Sequence, residues 1–431
     1  MKCIFTGTFI MEQAELIPHL FRTEFRKITA VLCKLFGIEH IEIAEDLASE
    51  TFLSALETWT YRGIPANPTS WLYSVAKNKA RNYIIRNKVF AEKISPQIKH
   101  SRQRTEEILI DLSNSNIKDS QLQMLFAICH PAISTEAQIG LALRVLCGFG
   151  IDEIATAFLT NRETIHKRLY RAREKLRDEK AIIEFPDETE ISKRLEAVLT
   201  TLYLFFNEGY YSESQDSIVR QDLCQEAMRL TYLLIENKQT NLPAVNALYA
   251  LMCFQASRLE ARKNKNGEFI LYAEQDETLW DPELISRGAY HLHLAAKGNE
   301  ISKYHLEAGI AYWHTIKSDI KEKWENILQL YNQLLQIAYS PIAALNRTYA
   351  LSKVNGRAAA IPEAEKLNLT DNHFYYTLLG ELYRNTDNLK SRCCFLKALE
   401  LAKTQTDKQA IQKKMETGSL IIPTCIKPPA G

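Results

Sequence analysis

The stretch Ile151–Arg177, IDEIATAFLTNRETIHKRLYRAREKLR, decides the fold prediction because it holds two helical patterns separated by a short polar turn. In the first pattern, apolar residues recur at i, i+3, i+4 and i+7, which is typical of one helix face. The second pattern repeats this spacing with Ile165, Leu169, Ala172 and Leu176, and its other faces are strongly basic. This predicts a helix-turn-helix suited to the DNA major groove, although an αα-hairpin with a solvated basic face has the same spacing.

Two capping-box patterns predict where helices begin in this part of the chain. Thr160 is followed three residues later by Glu163, and Thr135 is followed by Gln138. Such a pair satisfies two backbone donors at a helix start. We therefore expect Thr160 to cap the second helix of the helix-turn-helix and Thr135 to cap an earlier helix.

Composition narrows the classes of protein that the chain can represent. With 431 residues and a net charge of +1, the chain suits about three domains, and any nucleic-acid site must come from local clusters of basic side chains. No apolar run reaches the ~18 residues of a membrane-spanning helix and we find no signal peptide, so we expect a cytoplasmic protein. The nine cysteines lack C-x-x-C spacing, which predicts buried, reduced thiols. Nucleotide-binding and hydrolase motifs are absent, so we expect no catalysis, cofactor or metal.

Two amphipathic stretches precede the helix-turn-helix. The first, IEIAEDLASETFLSALETW (41–59), has an apolar stripe and an acidic stripe, which indicate either a solvated face or a docking surface for a basic partner helix. The second, WLYSVAKNKARNYIIRNK (71–88), mixes aromatic and basic side chains. Basic groups track phosphates and rings stack on unpaired bases, so this mixture suits melted DNA. Core positions for Trp71 and Tyr83 are the alternative.

These modules, in this order, resemble bacterial RNA polymerase sigma factors of the extracytoplasmic-function group. Residues 41–59 resemble the part of region 2 that docks on polymerase, and NPTSWLYSVAKNKARNYIIRNK (67–88) resembles the part that opens and reads the −10 element. Residues 134–177 resemble region 4, which reads the −35 element. The run DSQLQMLFAICHPAIS (119–134) is similar to a stretch of one subgroup whose members carry a long helical C-terminal extension.

The resemblance implies a role for three groups of residues. The clamp helices of the polymerase core would be met by Glu45, Asp46 and Glu50. The −10 strand would lie near Trp71, Lys77, Asn78, Lys79 and Arg81, and the −35 duplex near Thr164, Lys167, Arg168, Arg171 and Arg173. Some of these residues would contact phosphates, which position the protein, and others base edges, which specify sequence.

The C-terminal half reads as a series of helices, three of which should start at Pro243, Pro282 and Pro341 because proline suits the first helical position. Within it, YYTLLGELYRNTDNLKSRCCFLKALELA (375–402) resembles a tetratricopeptide unit. The strand-like stretch 267–281 is interpreted as an irregular connector. Helices are predicted over 221–237, 243–262, 282–297, 301–317, 322–338, 342–354 and 372–402.

The expected fold is all-α, with region 2 over 12–90, a linker over 91–118, the region 4 helix-turn-helix over 119–180 and a tetratricopeptide-like domain over 187–420. The predicted function is a sigma factor that brings core polymerase to promoter DNA and acts away from the membrane. The C-terminal domain would modulate activity by binding a regulatory partner, for which an anti-sigma factor is one candidate. The alternative is a helix-turn-helix regulator with a helical-repeat effector domain that acts without polymerase. Such a regulator has no need of the acidic helix or of the 71–88 stretch.

Overall fold

The structure is a computed structural model, and it describes residues 13–86, 110–158, 160–210, 221–262, 270 and 272–416. The regular elements in these ranges are all helical, which confirms the all-α prediction. None of the described helices combines the length and the apolar character needed to cross a membrane. Contacts divide the chain into two compact units, one running to Glu208 with Glu236–Thr240 added, and one formed by Gly209–Ile235 and the chain from Asn241 onward.

The first unit contains two helical modules. We call α1 to α3, which cover the residues predicted as region 2, the region 2 module. We call α4 to α7, which cover the predicted helix-turn-helix, the helix-turn-helix module. Most of α8 belongs to the same unit. Their bounds are α1 (Gln13–Phe36), α2 (Ile41–Arg62), α3 (Pro68–Arg86), α4 (Asn114–Ile128), α5 (Thr135–Leu141), α6 (Ile151–Ala157), α7 (Arg162–Asp178) and α8 (Glu188–Tyr210). A 3-10 turn, Ile38–His40, joins α1 to α2, and a π-turn, Ala142–Leu146, continues α5.

Two boundaries differ from the predicted ones. Helix α4 begins at Asn114, inside the segment predicted as a linker, and Ile110 and Leu112 just before it are buried. The packed part of the first unit therefore begins before α4. In addition, most of α8, which starts close to the predicted beginning of the C-terminal domain at residue 187, falls in the first compact unit, which extends to Glu208.

The apolar stripes predicted for the first unit form its core. In α7, Ile165, Leu169, Ala172 and Leu176 are all buried, as the periodicity predicts. Aromatic rings join α1 to α2, where the Phe21 ring lies 5.1 Å from the Phe52 ring, although Phe21 itself is 38% exposed. The predicted buried stripe of α2 is confirmed at Leu47, Ala48, Thr51, Phe52 and Ala55.

Both predicted capping boxes are wrong by one residue. The side chain of Asn161, not Thr160, caps α7 by accepting a hydrogen bond from the backbone N–H of Thr164 at 2.8 Å. Ser134, not Thr135, caps α5. Each true cap directly adjoins the predicted threonine and is a more favourable cap-forming residue type. The backbone conformation, extended at both true caps, selects which neighbour serves.

The second unit is a succession of helices. The three predicted proline starts, at Pro243, Pro282 and Pro341, are confirmed. The predicted irregular connector holds 3-10 turns at Tyr272–Glu274 and Glu277–Leu279. The helices are α9 (Gln221–Glu236), α10 (Pro243–Ala256), α11 (Pro282–Ala295), α12 (Lys303–Trp313), α13 (Lys321–Ile337), α14 (Pro341–Asn355), α15 (Arg357–Leu367), α16 (His373–Tyr383), α17 (Asn388–Leu401) and α18 (Gln405–Glu416).

The single helix predicted over 372–402 is broken into α16 and α17. Helix α16 ends at Tyr383, because Arg384 leaves the helical region (ψ 128°) and Asn385 then adopts a left-handed conformation (φ 66°). The Asp387 side chain then caps α17 by accepting a hydrogen bond from the backbone N–H of Lys390 at 3.0 Å. The two helices approach closely at Gly380, where an added Cβ would lie 2.9 Å from the Phe395 ring. Helix α15 was absent from the predicted series.

The described cysteines are free thiols. Burial raises the pKa of Cys129, Cys224 and Cys253 to about 12, so these thiols are poor nucleophiles at neutral pH. Cys393 departs from the prediction of buried thiols, since it is exposed.

Candidate nucleic-acid interface

The basic face of α7 is exposed over its first half. Lys167 and Arg171 extend into solvent, and Lys167 forms only a surface ion pair, 2.6 Å from the Glu163 carboxylate. Thr164 is partly exposed at the first turn. The Arg168 guanidinium lies over the Phe158 ring at 5.4 Å, so this cation also packs against the preceding helix end. Four of the five predicted −35 residues therefore share one accessible surface.

The fifth predicted −35 residue, Arg173, points elsewhere. Its Nη1 donates a hydrogen bond to Oε1 of Glu42 in α2 at 2.7 Å, and its side chain is only 17% exposed. Sequence reasoning also missed Tyr170, which is 59% exposed. Its position three residues after Lys167 was the available signal, because residues at i and i+3 are neighbours on a helix surface.

The predicted −10 residues lie on α3. Lys77, Asn78 and Arg81 are exposed. Trp71 is partly buried, and its ring packs edge-to-face on Trp59 at 5.3 Å. Lys79 is turned towards α2, where its Nζ donates a hydrogen bond to the Glu50 carboxylate at 3.2 Å. Thus α3 presents a basic edge, while its aromatic end is supported by α2.

The tyrosines of this stretch take part in packing. The Tyr73 hydroxyl donates a hydrogen bond to the Glu24 carboxylate at 2.6 Å. Burial and this hydrogen bond raise the pKa of Tyr73, which keeps the phenol protonated. The Tyr83 ring contacts Phe36 at 5.8 Å. The alternative that Tyr83 occupies a core position is therefore partly confirmed, since this residue is half-buried.

An open groove lies beside the acidic face of α2. Its volume is about 1140 Å³, and its apolar wall includes Phe21, Leu53 and Leu56. Asp46 and Glu50, both exposed, line it and add negative charge. Exposed apolar side chains beside carboxylates form a surface that complements a basic amphipathic helix.

Glu45 is separated from these two carboxylates. It is only 6% exposed, and its Oε1 accepts a hydrogen bond from Nε of Arg144 at 2.9 Å, while its Oε2 accepts one from Nη2 at 3.4 Å. Burial raises the pKa of the Glu45 carboxyl, although the nearby Arg144 and Arg173 guanidinium groups act in the opposite direction. Asp46, the next residue along the helix, faces solvent, so the predicted polymerase-binding triplet is divided between two faces of α2.

Comparison with known families defines the class of this chain. Residues 20–89, which span most of α1 and all of α2 and α3, match the family described as Sigma-70 region 2. This match supports a sigma-70 family sigma factor, a class of non-enzymatic transcription-initiation factors that bind RNA polymerase core and promoter DNA. Residues 194–296 match a family of unknown function, DUF6596.

A relative that matches most of the chain shows a family to which the chain belongs. The chain is 30% identical over 393 residues to the protein named "Uncharacterized protein R00370" of Rhizobium meliloti (strain 1021). The similarity covers 88% of this chain and 90% of the relative, so the chain belongs to the same family. No solved structure matches the chain.

Proposed function

We propose that this protein is a sigma factor of the extracytoplasmic-function group that bridges core polymerase and promoter DNA. The observation that carries the proposal is the pair of exposed basic faces, one on α3 within the residues that match Sigma-70 region 2 and one on α7 within the helix-turn-helix. Two such faces in one unit suit two separate DNA elements. The acidic groove beside α2 supplies a third surface, which fits a protein partner rather than DNA.

In this proposal, each of the three surfaces binds a different partner. On α7, Thr164, Lys167, Arg168 and Arg171 contact the −35 duplex, and Tyr170 joins them. On α3, Lys77, Asn78 and Arg81 contact the −10 strand, with Trp71 beside them and Lys79 available once it leaves Glu50. In the groove, Asp46 and Glu50 attract a basic helix of the polymerase core while Phe21, Leu53 and Leu56 supply apolar contact.

In the same proposal the second unit regulates this activity through a tetratricopeptide-like surface, and the protein acts in the cytoplasm. Support comes from the α16–α17 hairpin, whose helices pack closely at Gly380 and Phe395. Stacked helical pairs of this kind present extended surfaces to partners. A protein partner, such as an anti-sigma factor, is the ligand class that suits such a surface.

The DNA-binding part is tested by in vitro transcription with core polymerase and genomic fragments that include the upstream region of the gene. The Lys167→Ala, Arg171→Ala double variant should lower promoter-specific transcription at least tenfold and flatten its salt dependence, because two phosphate contacts are lost. Binding to core polymerase should not change. Lys193→Ala, which removes an 80% exposed cation from α8, is the matched control and should transcribe normally.

The polymerase-binding part is tested by charge reversal in the groove. Asp46→Lys with Glu50→Lys should abolish core binding, since two carboxylates facing a basic helix become like charges. Glu57→Lys reverses an exposed charge on the same helix outside the groove and should bind core as the unmodified protein does. Absence of transcripts from every protein, with tight operator-like DNA binding in the absence of polymerase, would favour the conventional helix-turn-helix regulator.

A further inference from the structure

A cluster of cationic and aromatic side chains lies within the second unit, and the proposed function does not use it. The Tyr272 ring is at its centre, with the Arg258 guanidinium over the ring at 5.4 Å and the Lys323 ammonium at 5.2 Å. The Trp280 ring stacks on it at 6.2 Å, and the His314 ring meets it edge-to-face at 5.3 Å. We call these five residues the Tyr272 cluster.

Hydrogen bonds between separate segments hold the Tyr272 cluster in place. The backbone N–H of Asp281 donates to the Ser257 carbonyl at 2.8 Å, which joins the segments that carry the tryptophan and the arginine of the cluster. The Tyr272 hydroxyl donates to the His314 carbonyl at 3.0 Å and accepts a hydrogen bond from the Lys323 ammonium at 3.0 Å. The five side chains are therefore positioned by the fold of one unit.

The positive charge of the cluster is not neutralised by the carboxylates around it. Among the described residues, neither cation of the cluster takes part in an ion pair, because the nearby carboxylates pair with other lysines. Glu277 pairs with Lys317 at 3.8 Å. Asp319 pairs with Lys353 at 2.9 Å. Burial lowers the pKa of the Lys323 ammonium, since the charged form is poorly solvated there. A half-buried region with an excess of positive charge favours the binding of an anion.

Two hydrogen-bond donors of the cluster are buried and unpaired. Among the residues that the structure describes, no acceptor pairs with Nε of Arg258 or with Nε1 of Trp280, and neither atom is open to solvent. Trp280 as a whole is only 6% exposed. Buried donors are nearly always satisfied in folded proteins, so two unpaired donors beside one ring indicate a position for an acceptor from outside the chain.

Both donors suit an oxygen ligand that carries negative charge. An indole N–H and a guanidinium N–H only donate, and a hydrogen bond from a guanidinium to an anionic oxygen is roughly twice as strong as one between neutral groups. A neutral ligand would leave the excess positive charge in place, and a metal cation would add to it. Arg258 is partly exposed, so a small ligand can approach the cluster from solvent on this side.

We propose that the Tyr272 cluster is a binding site for a small oxyanion, a carboxylate or phosphate group, held between the Arg258 guanidinium and the indole N–H of Trp280. Lys323 contributes charge, while its hydrogen bond keeps the Tyr272 hydroxyl fixed. The inference goes beyond the proposed function and does not depend on it, because it concerns a site in the second unit alone. It gives that unit a class of small-molecule ligand, in addition to the protein partner proposed for its helical surface.

The test follows the indole N–H signals of full-length, ¹⁵N-labelled protein by NMR during titration with sodium acetate or sodium phosphate. Sodium chloride keeps the ionic strength constant. The chain has five tryptophans, and Trp280→Phe identifies the signal of interest. That signal should shift in a saturable manner, whereas the Trp59 signal from the first unit should stay unchanged. The anion that saturates at the lower concentration distinguishes a carboxylate ligand from a phosphate ligand.

Variants of the arginine test the assignment of the site. Arg258→Gln should weaken binding of the preferred anion at least tenfold, because the guanidinium supplies both charge and a donor. Arg258→Lys keeps the charge and should recover part of the affinity. Arg357→Gln, which removes an exposed cation from the same unit, is the matched control and should bind as the unmodified protein does.

Two results would overturn the proposal, and the first needs no variant of the arginine. A Trp280 signal that neither anion shifts would mean that the indole N–H is satisfied within the chain, for which Oε1 of Gln275, also buried without a described partner, is the candidate acceptor. Equal affinity in Arg258→Gln and the unmodified protein would place the anion elsewhere. Transcription is not the readout, so failure of this proposal leaves the sigma function standing, and the reverse also holds.

Discussion

In the first unit, the Glu45 carboxylate is buried against the Arg144 guanidinium of another module. In the second unit, the Lys323 ammonium is buried against the Ile316 carbonyl and, at 3.0 Å, the Tyr272 hydroxyl. Lys323 is 1% exposed and Glu45 is 6% exposed, so burial is similar. The partners differ, because Glu45 is paired with a side chain of the other module, whereas Lys323 is paired with a backbone carbonyl and a hydroxyl of its own unit.

This difference separates two uses of buried charge. Ion pairs across a junction can be exchanged for water when the two sides part, so their net contribution is small. The Lys323 ammonium and the Ile316 carbonyl are only seven residues apart along the chain, so this contact is lost only when the start of α13 unfolds. We therefore expect the Glu45–Arg144 pair to contribute little net stability and Lys323 to act as a permanent contact.

The largest effect is expected from Lys323→Ala. This change removes a buried stem and leaves the Ile316 carbonyl without its donor, which should cost the second unit about 2–4 kcal/mol of stability. Lys323→Met keeps the stem and should recover part of that loss. Peptide-resolved hydrogen exchange over α13 provides the measurement, and Lys321→Ala, on a 70% exposed side chain, is the control. Equal stability of all three variants would contradict a permanent role.

A smaller effect is expected from acid on His314 in the same region. Burial, with Arg258 and Lys323 nearby, lowers its pKa to about 3, so the folded state keeps the ring neutral. The unfolded chain takes up a proton below pH ~6.5, which means that stability falls as pH falls from ~6.5 towards ~3. The second unit should lose about 1–2 kcal/mol by pH ~5, discounted because His314 keeps some solvent contact.

The control for this pH dependence is another histidine. His314→Gln should remove the loss of stability, whereas His293→Gln, at an exposed position on α11, should retain it. Unfolding curves at pH ~7 and ~5 give the comparison. A pH dependence that survives in His314→Gln would assign it to other groups.

The smallest effect is expected at Cys33, which lies near Glu45 and Arg173. Its thiol is buried, which raises its pKa, and it feels the charges of both Glu45 and Arg173. Arg144→Met should make Cys33 react with a maleimide about tenfold faster, the factor that corresponds to about 1.4 kcal/mol. Mass spectrometry locates the adduct. Cys253 in the second unit is the internal control, and equal acceleration at both cysteines would indicate general loosening instead of a local opening around Cys33.

Helical periodicity predicted much of the fold. The buried positions of α7, the stripe of α2 and the proline starts follow from local spacing, and each is confirmed. The capping-box pattern failed where two adjacent residues are both of a cap-forming type, as with Thr160 and Asn161 at the start of α7. Helical periodicity also failed at Asn385, because the apolar spacing around this residue does not predict a left-handed turn.

Only part of the candidate site could be predicted from the sequence. Spacing placed Asp46 and Glu50 together on α2, since they are one turn apart. It could not show that Glu45 turns inward, because its partner Arg144 is 99 residues away along the chain. The same holds for Arg173 and Glu42, whose contact depends on how two modules pack.

The edge-to-face contact of Trp59 and Trp71 gives the protein an optical reporter. Among the five tryptophans of the chain, these two lie in α2 and α3, at the base of the surface proposed for the −10 strand. An unpaired base that stacked on Trp71 would quench its emission, whereas DNA bound only along α7 would leave it unchanged. Promoter opening could therefore be followed in real time by the intrinsic fluorescence of the protein, without attaching a dye.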